Sequence, residues 1–328
     1  MSSDPLIIAA IGFGLGLAGS FLMSRGAFLL DMPNERSSHS TPTPRGGGAG
    51  IVLGFILISA AVIKDFSGAA VGAGVGLLGF FEDRLSLPAP LRLFLQLILA
   101  LGAVLATRST GPAILFWVIL IAGTANFYNF LDGIDGIAGL TGAVSFSLLA
   151  FFSFYIAGMV EAGSVSIALA AGCLGFLPFN FPKARVFMGD AGSMFLGFEF
   201  ALTVFNLSSS LRSLLCLGMF LCVFYADALL TLFFRWRRNE GLTVSHRGHL
   251  YQYLCNELSL PHWAVSASYA FIQLLFGVLS IFAYYRSIVW QLAVIAAFST
   301  AFIIAYRSIK GLSPGQGLGQ VANSITPP

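Results

Sequence analysis

The sequence predicts an all-α, polytopic integral membrane protein, and three observations carry that prediction. Of the 328 residues 57% are hydrophobic and only 9% are charged, a balance far from that of soluble domains. Apolar runs recur at lengths suited to a bilayer core of about 30 Å. The longest non-apolar stretch, about 235–262, is loop-sized, so no water-soluble domain fits between the runs.

The first run, 5–23, has no basic leader and no small-residue cleavage site, so it reads as a retained span rather than a signal peptide. Polar segments follow at about 31–48, 82–90, 126–136, 180–190 and 235–262. The apolar stretch between each consecutive pair is long enough for two crossings, so all five segments can share one side. Spans are expected near 5–23, 49–63, 66–81, 91–107, 112–126, 137–158, 163–179, 191–207, 211–234, 264–284 and 288–306, about eleven in all. The segments 49–63 and 66–81 rise only about 22 Å against a core of about 30 Å. Either these two extend into their loops or the bilayer thins there. Gly72, Gly74, Gly76 and Gly79 mark the second as a helix that packs closely on its neighbours. Residues 1–310 form one transmembrane catalytic domain in this reading, and 311–328, rich in Gly, Ser and Pro, a disordered cytoplasmic tail.

Charge orients the chain. Thirteen Lys and Arg fall on the side of the five polar segments against four (Lys64, Arg108, Arg212, Arg286) on the other, which makes the polar-segment side cytoplasmic. Nine of the fourteen carboxylates and all four histidines lie on that side too. A transporter places its ionisable groups at mid-membrane on broken helices; here they gather at one interface, as in a face-on active site. Cys173, Cys216, Cys222 and Cys255 show no metal-ligand spacing and read as small core fillers.

The chemistry concentrates in residues 126–136, where Asn126, Asn129, Asp132 and Asp135 recur every third position and Gly133 and Gly136 permit a break at the end of a span. Positions three apart drift by about 60° around a helix, so a break lets the four side chains converge. Their oxygens suit a hard cation, and the glycines let backbone N–H groups approach a phosphate. A polar helix cap is the competing reading. Carboxylates without cysteine or paired histidine describe a magnesium site better than a zinc site.

Residues 126–139 (NFYNFLDGIDGIAG), 179–182 (FNFP) and 186–193 (VFMGDAGS) resemble the polyprenyl-phosphate N-acetylhexosamine-1-phosphate transferases, glycosyltransferase family 4. Residues 31–48 are similar to that family's first cytoplasmic loop, and 79–88 to its acidic-pair motif. The resemblance covers all five polar segments in order, from about 31 to 255. It implies transfer of a sugar 1-phosphate from a UDP-N-acetylhexosamine to undecaprenyl phosphate, with release of UMP and dependence on Mg²⁺ (or Mn²⁺). The setting would be the bacterial inner membrane, with no nucleic-acid partner and a homodimer left open.

Residue by residue, the resemblance makes Asp190 and Asn129 metal ligands, and Asn129, Asp132, Gly133, Asp135, Asn180, Phe187 and His246 nucleotide-sugar contacts, with Phe187 stacking on uracil. The acidic pair departs from the usual Asp-Asp: Glu82-Asp83 keeps two carboxylates but moves one by a methylene. Asp83 is the preferred base or orienting group for the prenyl phosphate, Glu82 its support, and pairing with Arg84 or Arg92 the competing role. Arg36, His39, Thr43 and Arg45 are assigned to the prenyl phosphate. His249, in the sequence SHRGHLYQ at 245–252, faces the diphosphate as a catalytic residue. The separation of its two histidines resembles the branch that initiates O-antigen and related surface polysaccharides. Glu199 and Asp227 lie inside spans; each reads as a buried polar contact, with support of the metal site as a second role for Asp227. A CDP-alcohol phosphotransferase is an alternative whose DGxxAR pattern is missing after Asp132-Gly133; a lipid or solute transporter is another.

Overall fold

The computed structural model describes residues 4–26, 29–33, 41–107, 111, 113–240 and 248–311. Arg36, His39, His246 and the 312–328 part of the tail lie outside these residues. The described chain is helical apart from one antiparallel pair, β1 (Leu30–Asp31) with β2 (Thr43–Pro44). The helices are α1 (Pro5–Arg25), α2 (Ala49–Leu57), α3 (Phe66–Leu85), α4 (Ala89–Ala106), α5 (Ala113–Phe130), α6 (Ile137–Phe152), α7 (Val160–Asn180), α8 (Asp190–Leu207), α9 (Leu211–Gly218), α10 (Cys222–Arg237), α11 (Leu250–Asn256), α12 (His262–Arg286) and α13 (Ile288–Gly311).

Each of the eleven expected spans coincides with a helix or a pair of helices wound end to end. α2 continues through a wider π turn to Ile63, and α9 joins α10 through one tight turn at Met219–Leu221. Eight of these segments are long and apolar enough to cross a membrane, and the protein is a multi-pass membrane protein. The other three are Ala49–Ile63, α3 and α8. Of the two short expected spans, α3 extends into its loop, reaching 20 residues or about 30 Å. The Ala49–Ile63 segment does not, and stays near 22 Å.

α8 is the hub. Fifteen of its 18 residues are buried, and α2, α3, α5, α6 and α7 pack around it. A helix enclosed by protein on all sides has no lipid-facing stripe to fill, so it can begin with Asp190 and carry Glu199 at its middle. The small residues of α3 set its depth against this hub. A Cβ on Gly79 would come within 2.5 Å of the Ala191 Cα, and one on Gly48 within 2.4 Å of the Gly192 Cα. Backbone contact at these two points brings the end of α3 and the chain after β2 onto the first turn of α8. There the segment 44–48 adds to 187–188: Phe187 N–H donates to the Pro44 carbonyl at 2.8 Å, and Gly47 and Gly48 N–H donate to the Phe187 and Met188 carbonyls at 2.9 Å each.

Candidate active site

Helix α8 is preceded by Gly189, whose φ of 78° no other residue adopts easily and which supplies no side chain to cap the helix. The missing cap comes from α3. Asp83 accepts hydrogen bonds from the backbone N–H groups of Asp190 at 3.0 Å and Ala191 at 3.2 Å, placing a carboxylate where a helix favours an anion. The acidic pair and the MGD sequence are therefore one unit. Arg45 spans the same cluster, with one guanidinium nitrogen 2.9 Å from Asp31 and another 3.7 Å from Asp83.

Asn129, at the end of α5, donates from its amide nitrogen to Asp190 Oδ1 and to Ser193 Oγ, both at 3.0 Å. Turned over, the same amide would present its oxygen beside the Asp190 carboxylate, a pair of oxygen ligands that a hard divalent cation could use. Among the described residues no three His, Cys, Asp or Glu form a metal cage.

The carboxylates are close enough, and buried enough, to shift one another. Burial, with Asp190 and Asp83 nearby, pushes Asp132, in the loop between α5 and α6, up to about 8. Burial and Asp190 raise Asp83, beyond the expected span at the end of α3, to about 7 against the stabilising pull of the α8 amides and Arg45. Asp190 is raised chiefly by burial. For Arg45 the loss of solvent is outweighed by Asp31, Asp83 and Asp190, which hold its proton more firmly than usual. A divalent ion among these carboxylates would reverse the shifts.

The other expected site residues divide. Glu82 is set apart from Asp83: its oxygens accept from Arg92 at 2.9 Å and from Leu87 N–H at 3.0 Å, the pairing that was the competing role. Asn180 is a brace, accepting from Gly136 N–H at 2.8 Å and donating to the Val186 carbonyl at 2.9 Å. It ties the glycine loop to the segment bearing Phe187, which is half-buried. Asp135 pairs with His262 at 3.3 Å. Thr43 is buried, and its hydroxyl donates to the Thr41 carbonyl, so of the described prenyl-phosphate candidates only Arg45 reaches the carboxylates. Gly133 faces Tyr251: a Cβ there would lie 2.1 Å from the phenol oxygen, which donates to the Phe130 carbonyl at 3.0 Å.

Two participants had weak sequence signals. Ser193 lies one helical turn after Asp190 in the motif quoted above, yet only the bond to Asn129 marks it. Asp227 points at the histidine segment rather than toward Asp190: its carboxylate accepts from the Leu250 N–H at 2.8 Å and lies 3.5 Å from His249 Nδ1. The His249 ring in turn lies 6.5 Å from that of Phe130, two residues before Asp132.

The chain is similar in sequence to known proteins. The model of the family described as glycosyl transferase family 4 matches residues 66–208, the stretch that holds Asp83, Asn129, Asp132 and Asp190. The chain is 26% identical over 200 residues to a probable undecaprenyl-phosphate N-acetylglucosaminyl 1-phosphate transferase of Bacillus subtilis, covering 53% of this chain and 54% of the relative. It is 31% identical over 208 residues to a decaprenyl-phosphate N-acetylglucosaminephosphotransferase of Mycobacterium tuberculosis, covering 52% and 51%. A phospho-N-acetylmuramoyl-pentapeptide-transferase of Oceanobacillus iheyensis is 26% identical over 278 residues, covering 74% and 84%. The chain thus spans about half the length of the first two relatives and most of the third. With the motif blocks in order, and Asp83, Asn129 and Asp190 gathered at the head of α8, the chain is similar over these stretches to glycosyl transferase family 4 and to the polyprenyl-phosphate sugar-phosphate transferases named above.

Proposed function

We propose that this protein transfers N-acetylhexosamine 1-phosphate from a UDP-sugar to undecaprenyl phosphate at the cytoplasmic face of the bacterial inner membrane, as the first membrane step of O-antigen or a related surface polysaccharide. The observation that carries the reading is the joining of Asp83, Arg45, Asp190 and Asn129 around the first turn of α8. That cluster combines a cation's ligands with a guanidinium, as a site for two mutually repelling phosphate groups requires.

In the reaction an oxygen of the prenyl phosphate attacks the β-phosphorus of the UDP-sugar. The bond from that phosphorus to the bridging oxygen breaks, and UMP leaves with the electron pair. The sugar keeps its phosphate, now in a new diphosphate with the lipid. Asp190 and Asn129 would hold a magnesium ion, which would neutralise charge on the diphosphate. Asp83 holds the first turn of α8 in place and orients the prenyl phosphate or takes its residual proton; since a phosphate monoester is mostly dianionic at pH 7, with a second pKa near 6, orientation is the larger task. Arg45 binds phosphate oxygens beside it. Asp132, Gly133 and Phe187 line the nucleotide side.

The relatives named for N-acetylglucosamine and for N-acetylmuramoyl-pentapeptide share the lipid phosphate chemistry and differ in the sugar. The test is direct: purified protein in detergent, undecaprenyl phosphate, Mg²⁺ and a panel of UDP-N-acetylhexosamines, with UDP-N-acetylmuramoyl-pentapeptide included. UMP with a lipid diphosphate sugar, lost on adding EDTA, identifies transferase and sugar together. No UMP from the whole panel, with transport intact, favours a transporter.

A further inference from the structure

Asp227 is fully buried in α10, where an ionised carboxylate without partners would be very costly. It is surrounded by donors from three helices. Oδ1 accepts from Leu250 N–H at 2.8 Å and from the Thr231 hydroxyl at 3.2 Å. Oδ2 accepts from Tyr251 N–H at 3.3 Å and from the Tyr269 hydroxyl at 2.8 Å. Two of these donors are the backbone of the two residues that follow His249, and the His249 Nδ1 lies 3.5 Å from Oδ1. The imidazole is itself buried between Phe130 and Tyr251, with ring centroids at 6.5 and 5.8 Å. Tyr251 is in turn bonded to the Phe130 carbonyl at 3.0 Å.

The geometry points to Asp227 as a positioning residue for the transfer reaction: it fixes the backbone after His249 and takes the Nδ1 side of the ring, so that Nε2 is the nitrogen presented to the donor diphosphate. This rests on the transferase reading for its kinetic consequence. The ring is already confined by Phe130, Tyr251 and its place as the cap of α11; what a carboxylate beside one ring nitrogen adds is the choice of tautomer. Asn at position 227 has one acceptor oxygen in place of two, and the backbone N–H groups compete for it, so the ring loses its partner while the volume is unchanged.

The test uses the whole protein labelled with ¹⁵N-histidine. The chain has four histidines, so the His249 resonances are those missing from H249Q. In the wild type we expect one downfield, slowly exchanging Nδ1 proton at His249, lost in D227N with the other histidine signals in place. Y269F removes one donor to Asp227 but leaves the carboxylate, and should keep that proton. In the UMP assay D227N should lower kcat by about ten- to hundredfold with KM for the UDP-sugar within about threefold of wild type. The D227N/H249Q double variant should be no slower than H249Q alone, because residues acting as one unit are not additive. An unchanged Nδ1 proton in D227N, or a double variant slowed by the product of the single effects, overturns the proposal and leaves Asp227 as a packing residue. If the wild type makes no UMP, the transferase reading fails, while the resonance experiment still decides the Asp227–His249 contact.

Discussion

Replacing Asp83 by Asn separates a helix cap from a bystander with a size the structure allows to be estimated. The wild-type carboxylate accepts two α8 backbone N–H groups, at 3.0 and 3.2 Å. Hydrogen bonds to a charged group are worth about 1.5–3 kcal/mol each. Asparagine keeps one acceptor and turns an NH₂ toward the second amide, so one such bond is lost and two donors oppose each other. Arg45, 3.7 Å away, also loses a negative partner. A loss of about 3 kcal/mol at the first turn of α8 displaces Asp190, and passed on to the transition state it amounts to about a hundredfold in rate. Loss of a base or orienting group acts in the same direction, by about 10²–10⁴. We therefore expect D83N to lower UMP release at least a hundredfold, measured with saturating undecaprenyl phosphate and UDP-sugar, while its detergent-solubilised melting temperature falls by a few degrees. A D83N enzyme that keeps more than half of wild-type turnover would refute both the capping and the catalytic argument.

Four further outcomes follow. Glu82→Gln retains an acceptor for Leu87 and weakens the pair with Arg92, so turnover should stay within about fivefold of wild type and stability should fall by about 1 kcal/mol; a loss as large as that of D83N would show that the two carboxylates share one role. Gly133→Ala pushes a methyl group into the Tyr251 hydroxyl and should reduce turnover, with partial recovery in G133A/Y251F; equal activity of the single and double variants would remove the steric explanation. Because Asp132 is held up to about 8, the fold binds its proton more tightly than the unfolded chain does. In EDTA its contribution to stability is present below the ordinary carboxylate range and is lost as pH rises toward about 8. Melting curves should show that loss, and a rise on adding Mg²⁺ that is larger at pH 8 than at pH 5; a magnesium shift independent of pH would argue against the ion lying among these carboxylates. Asp190→Asn should abolish that shift while leaving the helical content measured by circular dichroism intact.

The membrane class was legible because composition and run length decide it: apolar stretches of span length have no alternative burial in water. Helix positions followed from the same runs, and the end of α3 shows the limit. Glu82-Asp83-Arg84 reads as loop by polarity, yet the helix continues through it to Leu85, because Gly79 seats α3 on α8 and the two acids find partners there, Glu82 on Arg92 and Asp83 on the α8 amides. The identities of Asn129, Asp132 and Asp190 were legible as a motif with one-sided charge. Their division of labour was not. Adjacent acids in the chain, Glu82 and Asp83 face different partners, Arg92 on α4 and the amides of α8. Asn180 reads as a ligand contact but binds two backbone groups across its own loop.

The sequence by itself thus determined the solvent of this protein, the order of its helices and the side on which its chemistry gathers, since these depend on local hydropathy and on charge counted along the chain. Only the tertiary structure decided that Asp83 caps a helix beginning 107 residues later, and that Asp227 holds the backbone beside His249. Periodicity specifies which face of a helix is buried and leaves open which neighbour covers it. That choice is made by the depth at which small residues let helices meet and by the need of every buried carboxylate to find donors.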